Sequence, residues 1–140
     1  MNTTNFELDP RLAADTTVIT ELALCRVCLM KDARFAWLIL VPRRPDMAEI
    51  DQLTSSEQST LWSEVTQAMQ ALRRVAPCDK LNVGALGNIV RQLHVHVVAR
   101  RENDAAWPGP VWGAGTTQPY AAEVLEALSL QLQNALLDRD

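Results

Sequence analysis

The sequence predicts a mixed α and β domain in which a long helix packs on a sheet. Three observations carry this. Two mostly apolar runs, Leu22–Met30 and Phe35–Val41, flank the polar turn Lys31-Asp32-Ala33-Arg34, the pattern of a β-hairpin. An apolar stripe at three- and four-residue spacing runs from Leu61 to Val75, the pattern of an amphipathic helix. A further alternating run, Gln92-Leu93-His94-Val95-His96-Val97-Val98, follows and carries the chain's only two histidines.

The bulk properties bound the function. At 140 residues and 48% apolar content, residues 1–140 read as one domain with a real hydrophobic core. A net charge of −4 argues against general binding to nucleic acid, which needs a basic surface to displace counterions. A local cluster such as Arg43-Arg44 or Arg100-Arg101 can still serve a small anionic ligand. Residues 1–20 lack the continuous apolar core of a signal peptide, and no apolar run is long enough to cross a bilayer. The expected location is therefore the cytoplasm, with no membrane partner. Three cysteines give no disulfide framework. Cys25 and Cys28 form a Cys-x-x-Cys, open to a zinc half-site or a redox pair. Positions i and i+3 of a strand face opposite sides, so buried structural thiols are the favoured reading. Cys78 follows Pro77 in a loop.

Taken in order, Asp9–Ala14 reads as a short helix with Pro10 at its first position. Thr16–Thr20 is β-rich and begins a first strand. The hairpin runs follow, the second ended by Pro42, and Arg43-Arg44-Pro45 leads out. Met47–Leu53 makes one helical turn. Thr54-x-x-Glu57 and Ser55-x-x-Gln58 each fit a capping box for the long helix. Its stripe is Leu61, Trp62, Val65, Met69, Leu72 and Val75, ending before Pro77, and the stripe's remaining width can serve a dimer. Lys80–Val83 is a short strand. Gly84-Ala85-Leu86-Gly87-Asn88 is a loop able to bring backbone N–H groups near an anion, without a dinucleotide fingerprint. Val90–Arg101 holds the histidine strand. Glu102–Thr117 is irregular, and Trp107 and Trp112 within it form either a packed lid or a wall for a flat ligand. Pro119 starts a final helix with the stripe Val124, Leu125, Leu128, Leu132 and Leu136.

Strand periodicity turns Leu93, Val95 and Val97 to the core and sets Gln92, His94 and His96 together on the other face. Such a pair can hold a metal, but a third ligand is needed and no histidine remains. It can also attack phosphorus. A neutral imidazole forms a covalent intermediate, while a neighbouring protonated imidazole and loop N–H groups stabilise the phosphoryl oxygens. That scheme needs no cofactor, although a divalent cation can accompany the substrate.

These residues also carry a resemblance. Gln92-Leu93-His94-Val95-His96-Val97-Val98 resembles the histidine triad (HIT) signature, His-φ-His-φ-His-φ-φ with φ apolar, with glutamine at its first histidine. Asn82–Val90 is similar to the segment that precedes the triad, and Leu38–Arg44 to the family's apolar strand ending in Pro-basic. The match covers residues 22–101, with 102–140 a loop and a C-terminal helix. The resemblance implies an α+β fold: an antiparallel sheet of about five strands with a long helix and a C-terminal helix packed on it. It implies a nucleotide hydrolase or transferase acting at an α-phosphate, and a homodimer. Carried over by position, His94 is the nucleophile and His96 contacts the phosphate. Gln92, Asn82 and Asn88 support them, the Gln92 amide orienting a neighbour, and Gly87 and Trp107 line the ligand. Ile89 stands where the family often has a hydroxyl, Phe35-Ala36-Trp37 where Gly-His is common, and Pro45 where another histidine is common. The alternative is a nucleotide-binding or interaction module that keeps the fold without catalysis.

Overall fold

The computed structural model describes residues 5–138; the ends of the expected 1–140 domain, residues 1–4 and 139–140, lie outside the described residues. The element order is α1 (Pro10–Asp15), β1 (Thr16–Glu21), β2 (Cys25–Met30), β3 (Ala36–Pro42), α2 (Ser55–Val75), β4 (Lys80–Gly84), β5 (Val95–Arg100) and α3 (Ala122–Leu136), with a 3-10 turn at Ile50–Gln52 before α2. The strands form one five-stranded sheet in the order β1-β2-β3-β5-β4, and every neighbouring pair is antiparallel. The α+β architecture expected from the sequence is the one observed.

Two cores divide the sheet. On one face Val27, Leu29, Leu38, Leu40, Val95 and Val97 meet Leu61, Val65, Ala68 and Leu72 of α2 and Leu132 and Leu136 of α3. Each fully buried leucine there contributes roughly 2 kcal/mol relative to an exposed one. On the other face Trp37, Ile39, Val41 and Val98 are covered by Leu12 of α1, by Phe35 and by Val111, with Phe6, Leu8 and Trp112 packed at the edges. The histidines belong to this second face.

The long helix forms where its local signals place it. The Thr54 hydroxyl accepts from the Glu57 N–H, and the Glu57 carboxylate accepts from the Thr54 N–H. Arg73 and Arg74 lie in the last turn, where they complement the helix dipole. Trp62, expected in the buried stripe, is 47% exposed. It lies one position, about 100° of rotation, from the Leu61–Val65–Ala68–Leu72 line.

Several other boundaries differ from expectation. Leu22–Leu24 is not strand but the connection between β1 and β2, and the Glu64 carboxylate on α2 takes the N–H groups of Leu24 and Cys25. The histidine strand starts at Val95, not Val90. The partner strands run out there: Leu40 of β3 lies opposite Val95, and Gly84 of β4 lies opposite His96. The Leu93 N–H accordingly bonds to the Met47 carbonyl instead of a ladder partner. Helix α3 starts at Ala122, three residues after Pro119, and Tyr120 is still outside it with its hydroxyl donating to the Phe35 carbonyl. Val124 is exposed, because the face turned inward is Leu125, Leu128, Leu132 and Leu136.

Three of the four arginines in the basic clusters proposed for anions are spent on the fold, and Arg101 is exposed. Arg44 pairs with Glu57 at 2.6 Å, and Arg43 donates to the carbonyls of Leu22 and Ala23. Arg100 is 1% exposed and donates to both oxygens of Asp104, to Asn82 Oδ1 and to the Gly109 carbonyl. A guanidinium so deeply buried needs this full set of partners. The arrangement ties the 102–120 loop to the end of β5.

Candidate active site

His96 sits on β5 between Ile39 of β3 and Gly84 of β4. His94 stands just before the strand begins. Their rings meet edge to face with centroids 4.8 Å apart, with His94 6% and His96 5% exposed. The alternation read from the sequence therefore holds: Leu93, Val95 and Val97 enter the helical core and the two imidazoles share the opposite face.

Hydrogen bonding sets a different tautomer on each ring. His94 Nδ1 lies 2.6 Å from the Gln92 carbonyl oxygen. A carbonyl can only accept, so this nitrogen carries the proton, and Nε2 of the neutral ring keeps a free lone pair. His96 Nδ1 lies 3.0 Å from Trp37 Nε1, whose N–H can only donate. The His96 Nδ1 is therefore the acceptor, and its Nε2 carries hydrogen. Burial, with the neighbouring charge of His94 second, lowers His96 to about 3, so this ring is neutral at physiological pH. The protonated imidazole expected beside the nucleophile is thus not His96 in the free protein, because its aromatic surroundings exclude the water a cation needs.

Trp37 reaches His96 as a diagonal cross-strand neighbour, since Trp37 pairs with Val98 in the β3–β5 register. Trp112 closes the other side, its ring centroid 5.3 Å from that of His96. Gly84 makes this approach feasible, because a Cβ there would stand 3.2 Å from Trp112 Cη2. Trp112 Nε1 is buried and has no hydrogen-bond partner among the described residues.

A cavity of about 360 Å³ opens at His94, lined also by Leu93, Gly87, Leu86, Ile50, Glu49 and Asp51. Gly87 adopts φ +72° there, a conformation that favours glycine. Trp37 is also one wall of a second cavity of about 440 Å³, with Met30, Tyr120 and Lys31 among its other residues. Aromatic and apolar walls with a few polar groups suit a small flat ligand.

The remaining sequence-derived candidates are dispersed. Asn82 lies on β4 and its side-chain oxygen is taken by Arg100. Asn88 is exposed in the loop before the histidines. Trp107 stacks on Arg100, with the guanidinium carbon 5.5 Å from its ring centroid, and it is Trp112 that meets the histidine. Gln92 holds His94 through its backbone carbonyl, while its side chain turns to the N-terminal segment. Sequence reasoning had set Trp37 aside as a departure from the family's pattern, and Asp9 and Arg11 as parts of a short helix. No local signal marks them, because the contacts that bring them to the site span 59 to 83 positions.

Among the described residues, no group of three or more His, Cys, Asp and Glu side chains is gathered to hold a metal ion. Cys25 and Cys28 are both buried and free, and burial raises both thiols. No helix among the described residues is long and apolar enough to cross a membrane.

Comparison with known proteins places this geometry. A histidine triad protein from Sinorhizobium meliloti is 46% identical, superposes with a TM-score of 0.93, and the match covers 96% of this chain and 99% of that one. A histidine triad protein from Bradyrhizobium japonicum is 44% identical over 94% and 98% of the two chains, with a TM-score of 0.91. One from Marinobacter aquaeolei is 41% identical over 96% and 98%, with a TM-score of 0.92. The search of curated proteins returns no match. The HIT domain model matches residues 11–103, spanning α1, all five strands, α2 and both histidines, so the chain belongs to the HIT domain family.

Proposed function

We propose that this protein is a nucleotide phosphohydrolase or nucleotidyl transferase acting at the α-phosphate of a nucleotide conjugate. The substrate is a dinucleoside polyphosphate, such as diadenosine tetraphosphate, or a nucleoside phosphoramidate. The observation that carries this reading is the pair of opposed tautomers. His94 presents a lone pair on Nε2 while His96 presents an N–H, which suits one ring to phosphorus and the other to a phosphoryl oxygen.

In the first step the His94 Nε2 lone pair attacks the α-phosphorus. An N–P bond forms, and the bond from phosphorus to the leaving group breaks with its electron pair on the leaving atom, which takes a proton from solvent. In the second step water attacks the nucleotidyl-imidazole and gives up a proton to solvent, the N–P bond breaks with its electron pair returning to Nε2, and the nucleoside monophosphate leaves. His96 Nε2–H donates to a non-bridging oxygen throughout. No cofactor enters, and a divalent cation accompanies the substrate only where it carries polyphosphate. The chain works as a homodimer in the cytoplasm; the edge strand β4, with Val83 exposed, leaves a row of backbone groups that a second copy can pair with.

The test is incubation with diadenosine tetraphosphate and with adenosine phosphoramidate, read for AMP and for one nucleotidyl group on His94 by intact mass after quenching. Turnover that survives His94→Ala overturns the mechanism. A second reading, a binding module without turnover, is favoured by Ile89 at 81% exposure and by the Gln92 side chain being committed elsewhere. It predicts AMP binding with neither adduct nor release.

A further inference from the structure

The Gln92 side chain makes two hydrogen bonds, both to one distant segment. Its Nε2 donates to the Glu7 carbonyl at 2.8 Å, and its Oε1 accepts from the Asp9 N–H at 2.8 Å. A carboxamide thereby satisfies alternate backbone groups of a passing chain, as a neighbouring strand would. The segment is fastened at three further points. Phe6 and Leu8 pack on the histidine face of the sheet. The Asp9 carboxylate caps α1 by accepting from the Arg11 N–H at 2.8 Å. Arg11 Nη1 donates to the Ile89 carbonyl at 3.0 Å.

The result is a cation held against the Ile89 carbonyl, five positions before His94. The Arg11 side chain is 59% exposed and stands against the loop that leads into His94. Asp9, its ion-pair partner, has its carboxyl held below the ordinary range, chiefly by the hydrogen bonds it accepts from Arg11. Of the arginines offered for an anion by the sequence, Arg43, Arg44 and Arg100 donate to internal acceptors and are half-buried or buried, while Arg101 is exposed beyond the far end of β5 from His94.

We propose that Gln92 is a positioning residue whose side chain clasps residues 7–9, and that this clasp docks Arg11 at the rim of the histidine site as the cation that meets the ligand's phosphate. The second half rests on the nucleotide reading given above. Gln92 then acts through the N-terminal arm and not as a member of the histidine pair.

The test uses the full chain in wild-type form and as Gln92→Ala, Gln92→Glu, Arg11→Met and the Gln92→Ala/Arg11→Met double variant. Two readouts are taken: amide hydrogen exchange across residues 7–12, and AMP affinity by calorimetry. Gln92→Ala is expected to speed exchange in the arm at least about tenfold while β5 stays protected. Gln92→Glu keeps the acceptor for Asp9 but loses the donor to Glu7, and falls between. Arg11→Met and Gln92→Ala each weaken AMP binding about tenfold, and the double variant is no weaker than either. Unchanged exchange in Gln92→Ala overturns the clasp. Wild-type AMP affinity in Arg11→Met overturns the role of Arg11. A wild-type protein that binds no AMP overturns the nucleotide reading and Arg11's part in it, while the exchange result judges the clasp independently.

Discussion

Replacing Trp37 with phenylalanine isolates the contact that sets the His96 tautomer. The phenyl ring keeps an aromatic wall but removes the N–H that reaches His96 Nδ1 at 3.0 Å. That nitrogen is buried with the ring, so it is left without a partner, at a cost of about 1–3 kcal/mol. The smaller ring leaves a void where Trp37 met Phe35 and Trp112 edge-on, costing about 1–2 kcal/mol more. The sum, about 3 kcal/mol, is a large part of the stability of an ordinary domain, about 5–15 kcal/mol. Urea unfolding reads the loss, and nitrogen-15 spectra of the imidazoles read the tautomer. In the wild type His96 carries hydrogen on Nε2; in the variant Nδ1 is free to take it, and the ring becomes easier to protonate because a donor to its neutral form is gone. A Trp37→Phe protein in which His96 keeps the Nε2–H tautomer and its low protonation point would refute the reasoning.

Two further outcomes follow from the same site. Folding holds His96 at about 3 against an ordinary 6.5, so the unfolded chain binds the extra proton. The stability tied to this ring is fully present above pH 6.5 and is lost as pH falls from 6.5 toward 3. Its share between pH 7 and pH 5 is about 2 kcal/mol, measured by urea unfolding at the two pH values, and a His96→Asn variant should lack that share of the slope. Gly84→Ala brings a Cβ to 3.2 Å from Trp112 Cη2, so the indole must shift by a few tenths of an ångström. AMP release should fall about threefold while unfolding free energy changes by less than about 1 kcal/mol.

What the sequence makes legible here is what neighbouring residues decide. The Thr54 capping box and Pro77 bound α2 without reference to the rest of the chain. Alternation alone separates Val95 and Val97 from His94 and His96. The start of β5 escapes this reasoning because Val90–His94 is composed like a strand, and only the lengths of β3 and β4 deny it partners. Arg100 reads as a solvated charge at a strand end, yet it is enclosed because Asp104, four residues on, turns back to meet it. Leu22–Leu24 reads as strand for the same reason: nothing local shows that Glu64, 40 positions away, is waiting for its N–H groups. The Trp37–His96 bond depends on the β3–β5 register, which no stretch of either strand encodes by itself.

The two positions where the family pattern most invites a histidine, Gln92 and Trp37, acquire a common sense from this register. Each constrains a histidine, Trp37 through its side-chain N–H and Gln92 through its backbone carbonyl. The Gln92 carbonyl accepts from the Nδ1–H of His94, and the Trp37 N–H donates to Nδ1 of His96. The same ring nitrogen is thus a donor in one residue and an acceptor in the other, which leaves Nε2 bare in the first and protonated in the second. At position 37 an imidazole could hold the His96 state only while its own tautomer stayed fixed, whereas at position 92 the constraint is a backbone carbonyl that any residue supplies. A backbone carbonyl and an indole N–H have no alternative protonation near neutral pH, so they fix the two rings without a further proton to control. Two rings with assigned protons present one bare nitrogen and one N–H donor, the pair that the proposed attack on a phosphoryl group calls for.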